Sequence, residues 1–200
     1  MARRTGIMVT ALFLLGTFIP GKANLKTCTE LDSGTESQMI AYLTQARQSG
    51  GNKQCIVSAI RRLSNKKSVG SVEVLTDFLD YKRPLTTEEQ AGVWIRTKSP
   101  EELCPAVSAL FSMGKEAVPG ILRAITNTQP STVKWDNAVY ALMLIHRDDP
   151  IAGVGVLSSS AAASTGVEAG RLSLAASDAA KLCSEDLRGR CMEAVSRRRY

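Results

Sequence analysis

A chain of 200 residues, 44% of them hydrophobic, is long enough to form one or two domains that bury their own core. Its five cysteines are too few for a miniprotein held together mainly by disulfides. Its formal charge of +6 at neutral pH is moderate, and half of that charge comes from the first segment of the chain.

That first segment, residues 1–23, has the pattern of a secretory signal peptide. Two arginines precede an apolar run that stops at Pro20, and Gly21 and Ala23 supply the small residues that a signal peptidase reads. We therefore expect cleavage after Ala23 and a periplasmic or secreted protein. The alternative is an uncleaved membrane anchor, although the run is short for a spanning helix of about 20 residues.

Cleavage would remove three basic residues and no acidic one, so the formal charge of the remaining chain is +3. A mildly basic chain of this kind lacks the dense positive surface of a nucleic-acid-binding protein. We expect no nucleic-acid partner, and no stable membrane insertion after cleavage.

Residues 24–34 form a polar N-terminal segment, and the first helix is expected to begin directly after it. Thr35 and Gln38 have the spacing of a capping box, in which the two side chains satisfy free N–H groups at a helix start. Gly50 is expected to stop this helix. Its apolar stripe consists of Met39, Ile40, Leu43 and Ala46.

A loose copy of a two-helix unit is expected at residues 55–80. Apolar residues recur at helical spacing in both halves of the unit: Ala59, Ile60 and Leu63, then Val74, Leu75 and Phe78. We expect the second helix to end within residues 81–84, because the residue before a proline is pushed out of the helical region.

Two further helix starts follow this copy. Thr86 and Glu89 form a second capping box. The apolar content of the inserted helix behind it is Ala91, Val93, Trp94 and Ile95. Ser99, Pro100 and Glu102 combine an N-cap, a proline at the first helical position and a capping glutamate, which predicts another helix start.

The same two-helix unit then appears twice more, at residues 105–125 and 137–157. A shift of 32 residues, without a gap, places Leu110 on Leu142 and Ile125 on Leu157. A fixed period with two short amphipathic helices per repeat predicts a helical solenoid.

The C-terminal part of the chain is also expected to be helical. Residues 161–166 are a small-residue linker or a frayed helix end, and a helix resumes near Val167. Its apolar positions are Leu172, Leu174, Ala175, Ala179 and Leu182. Ser184 is expected to cap a last short helix, and residues 198–200 to form a mobile tail. The predicted domain therefore spans residues 35–197, with about ten helices and no strand.

The stretch from Ala106 to Leu122 reads Ala-x-x-Ala-Leu-x-x-Met-Gly-x-x-Ala-Val-Pro-x-Ile-Leu. This pattern resembles the HEAT-like repeats of phycobilisome-lyase-type proteins. The resemblance implies an all-α fold, a short right-handed α-solenoid of HEAT-like helical hairpins. Such repeats occur in proteins with unrelated roles, so the resemblance implies a fold more than an activity.

The leading functional hypothesis is an exported scaffold that binds a protein or peptide and is not an enzyme. The alternatives are a lyase-like enzyme or enzyme accessory, and a purely structural helical domain. No catalytic residue, cofactor or metal site is predicted. His146, the only histidine, is expected at a helix C-terminus, and Asp149 is expected to cap the helix that begins with Pro150.

The cysteines are expected to form disulfides after export. Cys183 and Cys191 lie across the turn before the last helix, where a helical hairpin can bring their Cα atoms within about 4.4–6.8 Å. Cys28 with Cys55 is the second expected pair, which leaves Cys104 buried and reduced.

A partner is expected on the concave face, which the second helices of such hairpins line. The outward positions of these helices are expected to form three rows: Glu73, Gly120 and Ala152; Thr76, Arg123 and Gly155; and Asp80, Asn127 and Ser159. A nucleic-acid partner would need basic residues repeated along a row, and only Arg123 is basic. We therefore expect a protein or peptide partner that takes its polar contacts from Asp77, Asp80, Arg123 and Asn127.

Overall fold

The structure is a computed structural model that describes residues 28, 31, 33–92 and 98–183. Every regular element within these residues is helical, and none of them forms a β-strand. The expected all-α class is therefore confirmed for the described part of the chain. The expected signal peptide, the side chain of Trp94 and the last helix after Ser184 lie outside it.

Numbered in chain order, the helices are α1 (Glu36–Ser49), α2 (Lys53–Lys66), α3 (Val72–Asp77), α4 (Thr87–Gln90), α5 (Pro100–Leu103), α6 (Pro105–Met113), α7 (Val118–Asn127), α8 (Val133–Ile145), α9 (Pro150–Ala163) and α10 (Gly166–Cys183). Short 3-10 turns precede α3 and α7. Each of the three expected copies of the unit forms two helices. The pairs are α2 with α3, α6 with α7, and α8 with α9.

The three capping boxes that the sequence predicts are all present. The backbone N–H of Thr35 donates to Gln38 Oε1 at 2.8 Å, and that of Thr86 donates to Glu89 Oε2 at 2.7 Å. The N–H of Ser99 donates to Glu102 Oε2 at 2.8 Å. These bonds satisfy N–H groups that lack a partner inside the helix, and they fix the starts of α1, α4 and α5.

Burial follows the expected register of the two clear copies. Leu110 and Leu142 are fully buried at equivalent positions of α6 and α8, and Ile125 and Leu157 are fully buried at equivalent positions of α7 and α9. The buried residues of the described chain form one cluster that extends from Leu31 to Ala179. The apolar faces of the helices thus pack into a continuous core.

The structure corrects four expectations about single positions. Leu31, in the segment expected to be only polar, is 1% exposed and belongs to the core. Gly120 and Thr76 were expected to point outward, but both are buried because α3 and α7 meet there. Leu174 was expected in the apolar stripe of α10 and is 41% exposed.

Two helix ends also differ from the expectation. α3 ends at Asp77 because Phe78 and Leu79 turn into the core, where the backbone oxygen of Leu79 accepts a hydrogen bond from the side chain of Asn137 at 2.6 Å. α4 ends at Gln90, and Gly92 has a left-handed φ of +67°. The expected apolar residues Val93, Trp94 and Ile95 lie outside the described residues.

At the C-terminal side, the small-residue stretch is the end of a helix. α9 continues to Ala163, and Gly166, with a φ of +60°, begins α10. α10 packs closely against α9 and also contacts α7 and α8. None of the helices among the described residues is both long and apolar enough to cross a membrane.

Cys28 and Cys55 form the expected disulfide, with their Cα atoms 4.8 Å apart. Cys104 is buried and is not disulfide-bonded, as expected. Cys183 is disulfide-bonded, but Cys191 lies outside the described residues. The pair Cys183–Cys191 therefore stays a prediction.

Candidate functional site

Helices α3 and α7 lie side by side and meet at Gly120. A Cβ atom at this position would lie 2.2 Å from Val72 Cγ1, well inside van der Waals contact. Only glycine allows the two backbones to approach this closely without a shift of Val72. Residues of both helices, Gly120 among them, line a groove whose two walls are α3 and α7.

The groove is a concavity of roughly 160 Å³ that is open to solvent. Polar side chains dominate its lining, and they come from both walls and from the first turn of α8. The lining residues are Glu73, Thr76, Asp77, Gly120, Arg123, Ala124, Asn127, Thr128 and Lys134.

The structure brings together three of the four residues that the sequence predicts as partner contacts. Asp77, Arg123 and Asn127 all line the groove. Asp80 does not, because the chain turns into the core after α3 and the Asp80 carboxylate accepts a hydrogen bond from Arg47 Nη2 at 2.9 Å. The binding role of these residues is a prediction, and their placement in one groove is what the structure adds.

Lys134 is the groove residue that the sequence analysis missed. Its Nζ donates to Asp77 Oδ1 at 2.8 Å and forms an ion pair across the end of the groove. Lys134 belongs to α8, a first helix of its unit, so a search along the rows of second helices does not find it. The signal in the sequence was weak, because the loop between α7 and α8 determines where this side chain points.

Several polar side chains in the groove have no partner among the described residues. Glu73, Arg123 and Asn127 make no side-chain hydrogen bond or ion pair with any residue that the structure describes. Arg123 Nη2 lies 3.9 Å from the position that a Cβ atom on Gly120 would occupy, so the guanidinium group lies near the contact between the two helices. These groups are available to a ligand without the loss of an internal bond.

The polar groups have a simple arrangement on the two walls. Arg123 and Asn127 are four residues apart on α7 and therefore share one helix face. Glu73 and Asp77 have the same spacing on α3. One wall thus carries a cation and an amide, and the other wall carries two carboxylates, one of them neutralised by Lys134.

His146 and Asp149 lie at helix ends. His146 follows the last residue of α8, and the N–H of Ala152 donates to Asp149 Oδ1 at 3.2 Å, which confirms both expected positions. Trp135 is 2% exposed and packs in the core. The described part of the chain brings together no group of three or more His, Cys, Asp or Glu residues that could hold a metal ion.

A second polar cluster, formed by Arg83, Glu89 and Lys98, consists of hydrogen bonds and ion pairs within the chain. Arg83 donates to both carboxylate oxygens of Glu89, at 2.7 and 2.9 Å, and to the backbone oxygens of Pro84 and Glu102. Lys98 also pairs with Glu89. The hydrogen bonds from Arg83, and then those from Lys98 and the Thr86 N–H, hold the pKa of Glu89 well below its usual range.

A basic cluster in the second half of α2 and just after it faces solvent for the most part. Arg61, Lys66 and Lys67 are exposed, and Arg62 is half-buried and donates to the backbone oxygen of Leu31 at 3.4 Å. No aromatic side chain that could stack a base lines the concavities beside Arg61.

The described residues therefore define an all-α protein with a polar groove between α3 and α7. No protein-family model, curated protein or solved structure matches the chain. The resemblance to HEAT-like repeats accordingly depends on the residues of this sequence alone.

Proposed function

We propose that this chain is an exported helical-repeat scaffold that binds a protein or peptide in the groove between α3 and α7. The repeat is of the HEAT-like kind and forms a short right-handed solenoid. Two observations support this architecture: the 32-residue correspondence between residues 105–125 and 137–157, and the burial of equivalent leucines in α6 and α8.

Export is supported by features at both the sequence and the structural level. Residues 1–23 have the pattern of a signal peptide. The Cys28–Cys55 disulfide is consistent with an oxidising compartment, because cytosolic reductants keep most thiols reduced.

The binding role is supported chiefly by the polar groups of Glu73, Arg123 and Asn127, which have no partner among the described residues. An open groove with charges of both signs suits a peptide or a protein surface. It suits a nucleic acid poorly, because phosphates require several free cations in a row. Arg123 is free, but Lys134 is neutralised by Asp77.

The proposal is tested by selection from a random peptide library on the purified chain, followed by isothermal titration calorimetry of the selected peptides. Arg123→Glu should weaken binding at least about fivefold, since it replaces a favourable charge with a repulsive one. Lys115→Glu makes a reversal of the same sign on an exposed turn outside the groove and should leave binding unchanged. Peptides that bind Arg123→Glu as tightly as the unchanged chain would show that the groove is not the site.

A further inference from the structure

The charges in the groove balance in number, but only two of them pair with each other. Four charged side chains line it, two acidic and two basic, and Asp77 pairs with Lys134 at 2.8 Å. Glu73 and Arg123 form no ion pair with each other or with any other described residue. One free carboxylate and one free guanidinium group therefore face the same concavity.

The two free charges lie on opposite walls. Glu73 is on α3 and Arg123 is on α7, and the two helices approach each other closely at Gly120. A bound group that is negative on the α7 side and positive on the α3 side complements both walls at once. A group with charges of one sign only would meet repulsion at one wall.

An amide continues the α7 wall one helical turn beyond the guanidinium group. Asn127 has two N–H donors and a carbonyl acceptor, which are the same hydrogen-bonding groups that a peptide unit presents. Neither wall offers a large apolar surface. The groove therefore complements the main chain and charged side chains of a peptide better than an apolar helix face.

The geometry of an extended peptide determines which of its residues can reach Glu73 and Arg123. In an extended peptide, successive side chains point to opposite sides, while residues two apart point to the same side. A peptide that lies along the groove therefore directs neighbouring side chains to different walls. An acidic side chain can reach Arg123 while the adjacent basic side chain reaches Glu73.

We propose that the groove binds an extended peptide segment in which an acidic residue stands next to a basic residue. The acidic side chain pairs with Arg123, the basic side chain pairs with Glu73, and the Asn127 amide bonds to the main chain between or beside them. This inference depends on the proposed function, because it specifies which peptides the groove accepts.

Three capped peptides test the inference by titration of the isotopically labelled chain in amide-detected NMR. Ac-Ala-Ala-Glu-Lys-Ala-Ala-NH2 carries adjacent charges, Ac-Ala-Ala-Glu-Ala-Lys-Ala-NH2 carries both charges on one side, and Ac-Ala-Ala-Gln-Gln-Ala-Ala-NH2 carries none. The first should bind about fivefold more tightly than the second, which can form only one of the two surface ion pairs, and more tightly still than the third, which can form neither. Its shift changes should centre on Gly120 and the side-chain amide of Asn127.

A charge reversal at Glu73 should increase the affinity for a different peptide. A misfolded variant could not show such an increase. Glu73→Lys makes both walls basic, so this variant should prefer Ac-Ala-Ala-Glu-Glu-Ala-Ala-NH2 by about fivefold over the Glu-Lys peptide. Glu116→Lys makes the same change on the exposed turn before α7 and should keep the original preference.

The outcomes separate this inference from the broader proposal. Library peptides that bind in the groove, together with equal affinities for the three capped peptides, would overturn the inference and leave the binding function standing. If no peptide from either set shifts the groove resonances, both proposals are wrong. A preference for the Glu-Lys peptide that Glu73→Lys leaves unchanged would also overturn the inference.

Discussion

Gly120 is the residue on which the geometry of the groove depends most directly. Gly120→Ala would place a Cβ atom 2.2 Å from Val72 Cγ1, so α7 must move away from α3 or Val72 must leave its position. Overpacking of this kind typically costs about 1–3 kcal/mol. We expect that loss in the free energy of unfolding, measured by urea denaturation.

Gly155 provides a matched control for this change. It also lies inside a helix, α9, but a Cβ atom there meets nothing within 4 Å. Gly155→Ala should therefore stabilise the chain, by up to about 1 kcal/mol, because alanine has the higher helix propensity. Equal effects of the two substitutions would mean that α3 and α7 do not meet as described.

The equivalent leucines of α6 and α8 give a second prediction at the residue scale. Leu110 and Leu142 are both fully buried, so replacement of either by alanine removes apolar contacts and leaves a cavity. Each change should lower the free energy of unfolding by about 2–5 kcal/mol in urea denaturation. Leu174→Ala, at a position 41% exposed, should cost clearly less. A negligible cost at both buried leucines would contradict the register of the repeat.

At the scale of elements, α4 is too short to be stable by itself and depends on Glu89. That carboxylate accepts the Thr86 N–H at 2.7 Å and both N–H groups of the Arg83 fork, and it pairs with Lys98. A helix of four residues has almost no internal hydrogen bonds. The ion pairs around Glu89 therefore hold α4 against the start of α5.

Acidification should weaken this arrangement in a defined direction. The Arg83 hydrogen bonds and the Lys98 pair lower the pKa of Glu89 in the folded chain, so ionised Glu89 favours folding above the unfolded carboxyl pKa of about 4.3. That contribution is lost as the pH falls below this value. Glu89→Gln should therefore be less stable than the unchanged chain at neutral pH, and the difference should shrink on acidification to about pH 3. A difference independent of pH in urea denaturation would contradict this role of the carboxylate.

Local patterns in the sequence predicted the helix starts well, because a capping box needs only residues three positions apart. Thr35, Thr86 and Ser99 all begin helices where expected. The end of α3 could not be predicted in this way, because it depends on a bond between Leu79 and Asn137, which are 58 positions apart. The same reason explains why the partner of Asp80, Arg47, is not evident from the sequence.

Only part of the groove could be predicted from the sequence, because some of its features depend on contacts between distant residues. Helical periodicity places Arg123 and Asn127 on one face of α7, and that inference needs only local spacing. The burial of Gly120 and the position of Lys134 depend on how separate helices approach each other. Those distances follow from packing between distant parts of the chain, which a single sequence does not reveal.

At the scale of the whole molecule, both ends of the described chain contact the central helices. Leu31 enters the core, and the Cys28–Cys55 disulfide joins Cys28 to α2. At the other end, α10 contacts α7 and α8 as well as α9, and Arg171 donates to the backbone oxygen of Thr126. A repeat array whose units contact only their neighbours can unfold in steps. Contacts that span two units favour a single cooperative transition instead.

We therefore expect all parts of the described chain to unfold together in urea. With Trp94→Phe, the fluorescence of buried Trp135 in α8 reports on one site, while far-UV circular dichroism reports on all helices. The two midpoints should coincide, as they do in a two-state transition. Leu172→Ala removes a buried contact of α10 and should lower both midpoints by the same amount, since α10 belongs to the same core cluster. If the dichroism signal falls before the fluorescence changes, or if Leu172→Ala moves only the dichroism midpoint, α10 unfolds separately and the core is not one cooperative unit.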